Sequence, residues 1–571
     1  MAAILRDRAR VSSRDGWTRV AVGVTVTLVV LGSLYPLSAI LRIALGAGAL
    51  PHYLEFITSA ADLGVLRNTL VLGLLVGLCG TAIGFLFAFV QTRLAVPFKR
   101  TLHVLALIPI ISPPFAVATA MIVLYGRNGL ISHGLLGVEY DIYGLDGLVI
   151  VLSLSFSPLA YLGLRGMLQA LDPALEEAAM NLGASRGRIF RTVVLPLLAP
   201  GLIGPFLLLF MEAISDLANP LVLGGDYSVL ASRAYLAVIG EFDTTSAAVY
   251  CVILLFPSIG LFMIQRYWLA RKVRATVTGN PSGSVHLITG WTRWPIFGAA
   301  ALIGAVIVSL YATVLLGAMT RVFGVDNTLT LDHFREVFFG AGREAVLDTA
   351  MLATIATPLA DLLGVVIAWL VVRQLRYTAP WLDFAGMLGV AIPGTVFGIA
   401  YLLAYRTGIT IGNVTIFPAL VGGTAIAGGA LAIVLSYVIR SMPGGQRTAI
   451  GALAQVHPSL EEASANLGAS SAITFRRVVL PMIRPAVLTG LCYSFARSMT
   501  SVSAVVFLVT PGMKIMTSQI LDAENTSRYG VAFAYCTALI IIVLLSFGLI
   551  RLITGRTAPL NRVATTPSGG S

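Results

Sequence analysis

A polar segment of 28 residues occurs twice in this chain, 285 residues apart. Residues 173–200 read PALEEAAMNLGASRGRIFRTVVLPLLAP and residues 458–485 read PSLEEASANLGASSAITFRRVVLPMIRP, which are identical at 17 of 28 positions. Long apolar runs flank both copies. A chain that repeats a polar loop in this setting is constrained to fold as two similar halves.

The apolar runs place those halves in a membrane. Hydrophobic residues make up 57% of the chain and charged residues 11%, whereas a soluble globular domain has roughly 25% charged residues. A membrane span needs about 20 mainly apolar residues. Candidate spans lie near residues 19–46, 66–91, 101–125, 147–168, 201–224, 246–268, 294–319, 346–372, 382–405, 417–439, 486–509 and 530–553. The sequence therefore predicts an all-α membrane protein of about twelve transmembrane helices.

A hydrophilic stretch at 269–292 divides the spans into two groups of six. Its basic start and its Gly, Asn, Pro and Ser residues suit a cytoplasmic linker. We therefore expect a first transmembrane domain at 1–268 with its polar loop at 172–200, and a second at 293–571 with its polar loop at 457–485. Because six spans separate the two loops, the halves have the same orientation and form a parallel repeat.

The positions of Lys and Arg predict which side is cytoplasmic, because cytoplasmic loops retain positive charge. One predicted side of the first half carries Arg6, Arg8, Arg10, Arg14, Arg19, Arg93, Lys99, Arg100, Arg165, Arg186, Arg188, Arg191, Arg266, Arg271, Lys272, Arg274 and Arg293. The other side carries mostly acids, namely Glu55, Asp62, Glu139, Asp141, Asp146, Asp226, Glu241 and Asp243. Both termini and both polar loops are therefore expected in the cytoplasm, and the net charge of +12 reflects topology rather than nucleic-acid binding.

The sequence contains no pattern for catalysis or for a bound metal. The four cysteines form no CxxC or Cys/His cluster, and the six histidines are scattered. A phosphate-binding loop needs G-x-x-x-x-G-K-[ST], and the chain has no Gly-Lys pair. We expect no catalytic residues, no metal ligands and no ATPase activity in this chain.

Each polar repeat is predicted to form a short helix, a glycine turn and a second short amphipathic helix. Pro173 and Pro458 suit the first helical turn, and the acids that follow favour the positive helix end. Gly183 and Gly468 then end the helix. Two such elbows on one side of a membrane form a docking surface for a two-fold partner. The candidate docking residues are Glu176, Glu177, Ala178, Ala179, Gly183, Glu461, Glu462, Ala463, Ser464 and Gly468.

These repeats resemble the signature of permease subunits of ATP-binding-cassette importers, in which EAA, three residues, Gly and nine residues precede Ile-x-Leu-Pro. The first copy has Val at 193 and the second Val at 478 in place of Ile, and Ser464 replaces the second Ala. The resemblance covers nearly the whole chain and implies the type I importer permease fold. It implies that each loop is a coupling helix seated in a cleft of an ATPase subunit.

The resemblance also implies partners and a location. Two ATPase subunits on the cytoplasmic side would bind ATP and Mg²⁺, so that this chain itself holds no cofactor. A separate substrate-binding protein would dock outside on loops such as 126–146 and 320–345. The location implied is the bacterial cytoplasmic membrane, where lipid surrounds the spans.

With two similar halves fused in one chain of this length, the protein resembles the iron(III) importer group of permeases. Residues 212–225, EAISDLANPLVLGG, are similar to that group's sequence after the first coupling loop. The implied function is ATP-driven uptake of ferric iron. A phosphonate, a sugar phosphate or a thiamine-like solute is an alternative cargo within the same class. Two alternatives lie outside the importer class. One is a gradient-driven secondary transporter, which would not need the elbows, and the other is a membrane scaffold.

Two charges inside predicted spans are candidates for the translocation pathway. Glu212 and Arg497 align at the offset of 285, each about 11 residues into its span and so roughly 16 Å deep. A lone charge at that depth costs on the order of 3 kcal/mol. We hypothesise that the two side chains approach each other and form part of a gate. Separate structural charges with local partners are the alternative.

Further acids and prolines in the spans are open to two interpretations. Asp216 is predicted one helical turn beyond Glu212 on the same face, where oxygen donors suit ferric iron; Arg497 suits a phosphate group better. Asp361 is expected to be a helix-packing residue. Prolines inside 110–125 and 390–405 predict kinks that serve either packing or gating.

Overall fold

The computed structural model describes residues 16–269, 287–375, 377–411, 414–423 and 425–555. Nine helices in these ranges are long and apolar enough to cross a membrane, and three bent helix pairs bring the number to twelve. In chain order, spans 1 to 12 are Gly16–Ala44, Ala60–Arg93, Lys99–Ile110 with Phe115–Tyr125, Leu145–Ala170, Arg186–Ser215, Thr244–Tyr267, Arg293–Met319, Arg343–Gln374, Ala379–Ala391 with Gly394–Tyr405, Ala430–Gln455, Ser471–Met482 with Arg484–Met499, and Tyr529–Ile550. The all-α membrane fold is confirmed.

Shorter elements connect the spans. The helices among them are Leu50–Thr58, Pro173–Asn181, Ala218–Leu223, Leu230–Ile239, Asp332–Phe339, Ser459–Asn466 and Met516–Asn525. Two antiparallel hairpins are formed by Thr320–Val322 with Asp326–Leu329 and by Ile409–Ile411 with Val414–Phe417. The arginines before Gly16 and linker residues 270–286 lie outside the described residues.

Span 10 lies further along the chain than predicted. Residues 417–439 were expected to cross the membrane, but the helix is Ala430–Gln455. The apolar residues before it belong partly to the second hairpin, and the helix continues through the polar segment after Ile439. Hydropathy favoured the apolar hairpin over the polar half of the true helix.

Spans 5 and 11 begin and end earlier than predicted. Span 5 was expected at 201–224 and span 11 at 486–509, but they begin inside the elbows and end at Ser215 and Met499. A π-helical turn at Phe190–Val194 joins the elbow to the rest of span 5 without a break. The predicted second short helix of the first elbow is therefore the start of the span.

Spans 3 and 9 are broken at their prolines. The two helices of span 3 meet at 108° and those of span 9 at 101°. Pro113 and Pro393 have extended backbone at the breaks, and proline cannot donate the hydrogen bond that would continue a helix. The predicted kinks are confirmed, whereas their part in gating stays a prediction.

The halves interlock through their first and third spans. In span 9 the hydroxyls of Tyr401 and Tyr405 donate to the carbonyl oxygens of Gly32 (2.7 Å) and Leu31 (2.5 Å). Both carbonyls belong to a π-helical turn of span 1, Val30–Leu34. Between the other two spans of this kind, the hydroxyl of Tyr311 in span 7 contacts the hydroxyl of Ser112 at the break in span 3. Each half therefore packs its first span on the other half.

Within each half, the second and fourth spans approach closely at a glycine. A Cβ on Gly84 of span 2 would lie 2.7 Å from the backbone nitrogen of Tyr161 in span 4. A Cβ on Gly364 of span 8 would lie 2.7 Å from the backbone nitrogen of Gln446 in span 10. Small residues allow this backbone contact between membrane helices. It fixes the pair of spans whose ends carry the elbow.

Candidate functional site

Both predicted elbow helices are present and begin at the prolines. The first elbow helix is Pro173–Asn181, and the Asp172 carboxylate accepts a hydrogen bond from the backbone nitrogen of Ala174 at 3.0 Å. The second is Ser459–Asn466, with Pro458 at the N-cap. There the ring of His457 accepts from the backbone nitrogen of Ser459 at 3.3 Å. Different side chains thus satisfy the same helix end.

Each elbow helix ends in a glycine turn of the Schellman type. Gly183 has φ +80° and Gly468 has φ +81°. In the first elbow, Ala184 N donates to Ala179 O at 3.0 Å and Gly183 N to Met180 O at 2.9 Å. The second elbow repeats both bonds, from Ala469 N to Ser464 O (3.1 Å) and from Gly468 N to Ala465 O (2.9 Å). A left-handed residue is required there, which accounts for glycine in both copies.

The tips of the elbows expose large apolar side chains. Leu182 is 89% exposed and its equivalent Leu467 is 88% exposed. Ala178 and Ala463 are exposed beside them. Apolar side chains presented in this way on a polar loop are typical of a protein contact surface.

Two of the predicted docking residues instead face the spans. Glu176 Oε1 lies 2.8 Å from Nη1 of Arg93, at the end of span 2. Glu461 Oε1 lies 2.7 Å from Nε of Arg373, at the end of span 8. The arginine side chains are 4% and 7% exposed. Neither arginine was predicted to contact an elbow, although each lies in the last turn of the second span of its half.

Glu212 and Arg497 are in contact, as hypothesised. Nη1 of Arg497 lies 3.3 Å from Oε1 of Glu212, and the side chains are 25% and 18% exposed, respectively. Glu212 lies in the last turn of its helix, which ends at Ser215. The span begins at Arg186 and not at 201, so the predicted position of Glu212 within its span was wrong, whereas the predicted contact with Arg497 is present.

The ion pair borders a cavity built from both halves. Its lining is rich in hydroxyl and charged groups and comprises Phe115, Phe156, Glu212, Ser215, Asp216, Ala218, Arg440, Arg497, Thr500, Ser501, Val502 and Ser503. Two guanidinium groups and two carboxylates therefore share one small space. Such a cavity offers contacts to both anionic and cationic groups.

Arg440 lines this cavity but was not among the predicted candidate residues. It lies in span 10, with Nη1 3.5 Å from Ile392 O at the break in span 9 and its guanidinium carbon 5.7 Å from the centre of the Phe397 ring. The predicted span 10 ended at residue 439, so this charge was counted as loop. A correct span boundary would have added Arg440 to the charges predicted inside the spans.

Asp216 does not share a helix face with Glu212, contrary to the prediction. The helix ends at Ser215, and Asp216 has extended backbone. Its carboxylate accepts from Asn219 N at 3.0 Å and from Asn219 Nδ2 at 2.8 Å, which caps the next short helix. Asp216 nevertheless lines the same cavity.

Asp361 lies elsewhere, between spans 8, 10 and 11. It is 1% exposed, and a Cβ on Gly445 or Gly490 would come within 2.5 Å or 2.0 Å of its Oδ1. Only glycine leaves room for this carboxyl group. Among the described residues, no group of three or more His, Cys, Asp or Glu side chains is placed to hold a metal ion.

Of the two predicted outward loops, 320–345 contains the first hairpin and the helix Asp332–Phe339. The other loop, 126–146, contains an ion pair. Arg127 Nη2 lies 2.6 Å from Asp141 Oδ2. The hydrogen bond from this guanidinium lowers the pKa of Asp141. Tyr143 and Tyr227 line an open depression beside the pair.

Comparison with known proteins identifies the class to which this geometry belongs. The family model described as "Binding-protein-dependent transport system inner membrane component" matches twice, over residues 80–275 and 360–559. The chain is 35% identical over 501 residues to the ferric transport system permease protein FbpB of Actinobacillus pleuropneumoniae, covering 84% of this chain and 69% of the relative. It is 34% identical over 478 residues to the putative ferric transport system permease protein FbpB 1 of Haemophilus influenzae, covering 81% and 73%.

A shorter relative matches about one third of the chain. The chain is 31% identical over 204 residues to the molybdenum transport system permease protein ModB of Escherichia coli, covering 34% of this chain and 86% of the relative. The fold is thus that of a membrane permease with two like halves. The chain belongs to the family of binding-protein-dependent inner-membrane transport components, the permease subunits of bacterial ATP-binding-cassette importers.

Proposed function

We propose that this chain forms the translocation pathway of an importer for ferric iron, driven by two ATPase subunits. The observation that carries the proposal is the pair of elbows, each with a glycine turn and an exposed leucine at its tip. The ferric cargo is supported by the similarity to the two ferric transport system permease proteins, at 35% and 34% identity.

The elbows would act as coupling helices. ATPase subunits would bind ATP and Mg²⁺, and their closure would push the exposed tips of the two elbows together. Glu177 and Glu462 lie on the elbow helices next to the exposed Ala178 and Ala463. A negative charge at these positions suits a basic contact on each ATPase subunit.

The movement would reach the pathway through spans 5 and 11. Each span is joined to its elbow through a π-helical turn, Phe190–Val194 in one and Phe475–Val479 in the other. Glu212 and Arg497 lie on the same two spans. Displacement of the elbows would therefore act on the ion pair at the repeat axis, which would serve as part of the gate.

The orientation and domain division belong to the same proposal. Both termini and both elbows would lie in the cytoplasm, with residues 1–268 and 293–571 as the two permease domains and 269–292 as the linker. A substrate-binding protein would dock on the outward loops 126–146 and 320–345. The surrounding lipid would contact the exposed apolar side chains of the spans.

Cargo competition tests the proposal and its alternatives. The permease, its ATPase subunits and its binding protein are reconstituted in vesicles, and ATP-dependent uptake of radiolabelled ferric iron is measured against an excess of a phosphonate, a sugar phosphate or thiamine. We expect only unlabelled ferric iron to compete. Uptake of one of the other solutes in place of iron would assign that cargo. For a phosphonate or a sugar phosphate, Arg440 and Arg497 would be its contacts.

A further inference from the structure

Arg93 and Arg373 occupy equivalent places in the two halves, outside the repeated polar segment. Arg93 is the last residue of span 2, and Arg373 lies in the last turn of span 8. Both side chains are almost completely buried, at 4% and 7% exposure. A buried arginine requires partners for its charge and its donors.

In the first half, Arg93 joins three elements. Its Nη1 lies 2.8 Å from Glu176 Oε1 on the elbow helix. Its Nη2 donates to Leu168 O at 3.4 Å, in the last turn of span 4. The guanidinium thus connects span 2, the end of span 4 and the elbow helix.

In the second half, Arg373 makes the same connection. Its Nε lies 2.7 Å from Glu461 Oε1 on the elbow helix. Its Nη2 donates to Leu453 O at 3.0 Å and to Val456 O at 2.6 Å, at the end of span 10. Leu453 occupies the repeat position of Leu168. Two independent copies of one arrangement argue against an accidental contact.

We propose that Arg93 and Arg373 are positioning residues that fix each elbow helix to the ends of the two spans beside it. A guanidinium can bind a carboxylate and helix carbonyls at once because its donors form a planar fork. A push on the elbow then moves its two spans as a unit instead of tilting the elbow alone. The inference rests on the proposed docking of ATPase subunits at the elbows.

Neutral isosteric variants separate positioning from simple helix capping. Glu176→Gln and Glu461→Gln remove the ion pairs but leave each arginine able to bind the carbonyls of span 4 or span 10. If the arginines only cap those carbonyls, the variants will behave as the unchanged protein. If they position the elbows, ferric iron transported per ATP hydrolysed will fall by about tenfold, the equivalent of one lost charge-assisted contact.

Hydrogen exchange on the reconstituted complex gives a readout besides transport. With either glutamine variant we expect amides of the corresponding elbow helix to exchange about tenfold faster, the effect of the same lost contact, and those of the other elbow to stay unchanged. The matched control is Glu241→Gln, which breaks an ion pair with Arg233 (Arg233 Nη1 to Glu241 Oε1, 3.2 Å) away from both elbows. The control should leave elbow exchange and transport per ATP unaltered.

The outcomes distinguish this inference from the proposed function. Unchanged elbow exchange and unchanged transport per ATP in both variants would overturn the positioning role while leaving the importer intact. Transport by the unchanged protein that does not depend on ATP would overturn the proposed function itself. Should Glu176→Gln reduce the yield of folded complex, Arg93→Lys is tested instead, because lysine keeps the charge but not the planar fork. Coupling that is lowered but not abolished in Arg93→Lys would support positioning.

Discussion

Glu212 and Arg497 lie 285 residues apart, at the same position of the two repeats, and touch at 3.3 Å. Residues related by two-fold symmetry meet only at the axis. Two identical halves would place like charges there, which repel. Because both halves belong to one chain, the two positions can carry different residues, and here they form a complementary pair. The contact therefore joins the two halves at their repeat axis through an attractive interaction.

Removing one charge of this pair is expected to weaken the closed state. Breaking a buried ion pair costs about 3–5 kcal/mol, and the partial exposure of this pair reduces the cost to about 1–2 kcal/mol. Glu212→Gln should therefore raise the ATP-independent leak of ferric iron from loaded vesicles by about tenfold. The exchanged double variant, Glu212→Arg with Arg497→Glu, should restore the barrier. A leak that is the same in all three proteins would show that the pair does not close the pathway.

The charge of Arg440 is expected to set a barrier for cations. With Arg497 it places two positive charges on the cavity wall. For ferric iron that crosses as a cation, Arg440→Gln should raise the uptake rate roughly threefold to tenfold by lowering Coulomb repulsion. Arg447→Gln is the control, since Arg447 lines a separate opening. Slower uptake in Arg440→Gln would indicate that the cargo crosses as an anionic complex.

The glycine turn of the first elbow is expected to matter through its backbone conformation. Nothing lies within 4 Å of a Cβ at Gly183, so that Gly183→Ala adds only the cost of φ +80°, about 1 kcal/mol. Binding of the purified ATPase subunit should weaken about fivefold, and Gly183→Asn should bind more tightly than the alanine variant. Gly187→Ala has the same open surroundings without a positive φ. Equal effects at both positions would contradict this reason.

The second elbow differs from the first at two contacting positions, and each difference compensates for the other. Ser464 Oγ lies 2.8 Å from Oγ1 of the buried Thr474, whereas the first elbow has Ala179 and Ile189 at these positions. Ser464→Ala leaves a buried hydroxyl without this partner, at a cost of about 1 kcal/mol. Hydrogen exchange in the second elbow should accelerate about fivefold. Adding Thr474→Ile should return exchange to its original rate, and failure to do so would refute the compensation.

The repeat and the hydropathy pattern predicted most of the fold, because spans and turns depend on local chemistry. Gly183 and Gly468 could be assigned to turns since only a left-handed residue ends such a helix. The offset of 285 predicted the contact between Glu212 and Arg497, because symmetry converts a sequence offset into a spatial relation.

Span boundaries and long-range partners could not be predicted in the same way. Hydropathy treated the apolar hairpin before Ala430 as membrane span and the polar part of span 10 as loop, so that Arg440 was overlooked. Asp216 was misplaced because nothing local indicates that the helix ends at Ser215. Arg93 and Arg373 contact the elbows only through tertiary packing, and no spacing within the repeat reveals them.

The two elbows are proposed to couple ATP hydrolysis to uptake, and reversing the charge on each elbow tests this coupling. ATP-dependent uptake of radiolabelled ferric iron is measured in vesicles that contain this permease, its co-purifying ATPase subunits and its binding protein. Glu177→Lys and Glu462→Lys are compared with the unchanged protein. We expect uptake that requires ATP and disappears in both variants. Uptake that persists without ATP, or that is unchanged in both variants, would contradict coupling through the elbows and favour a gradient-driven transporter.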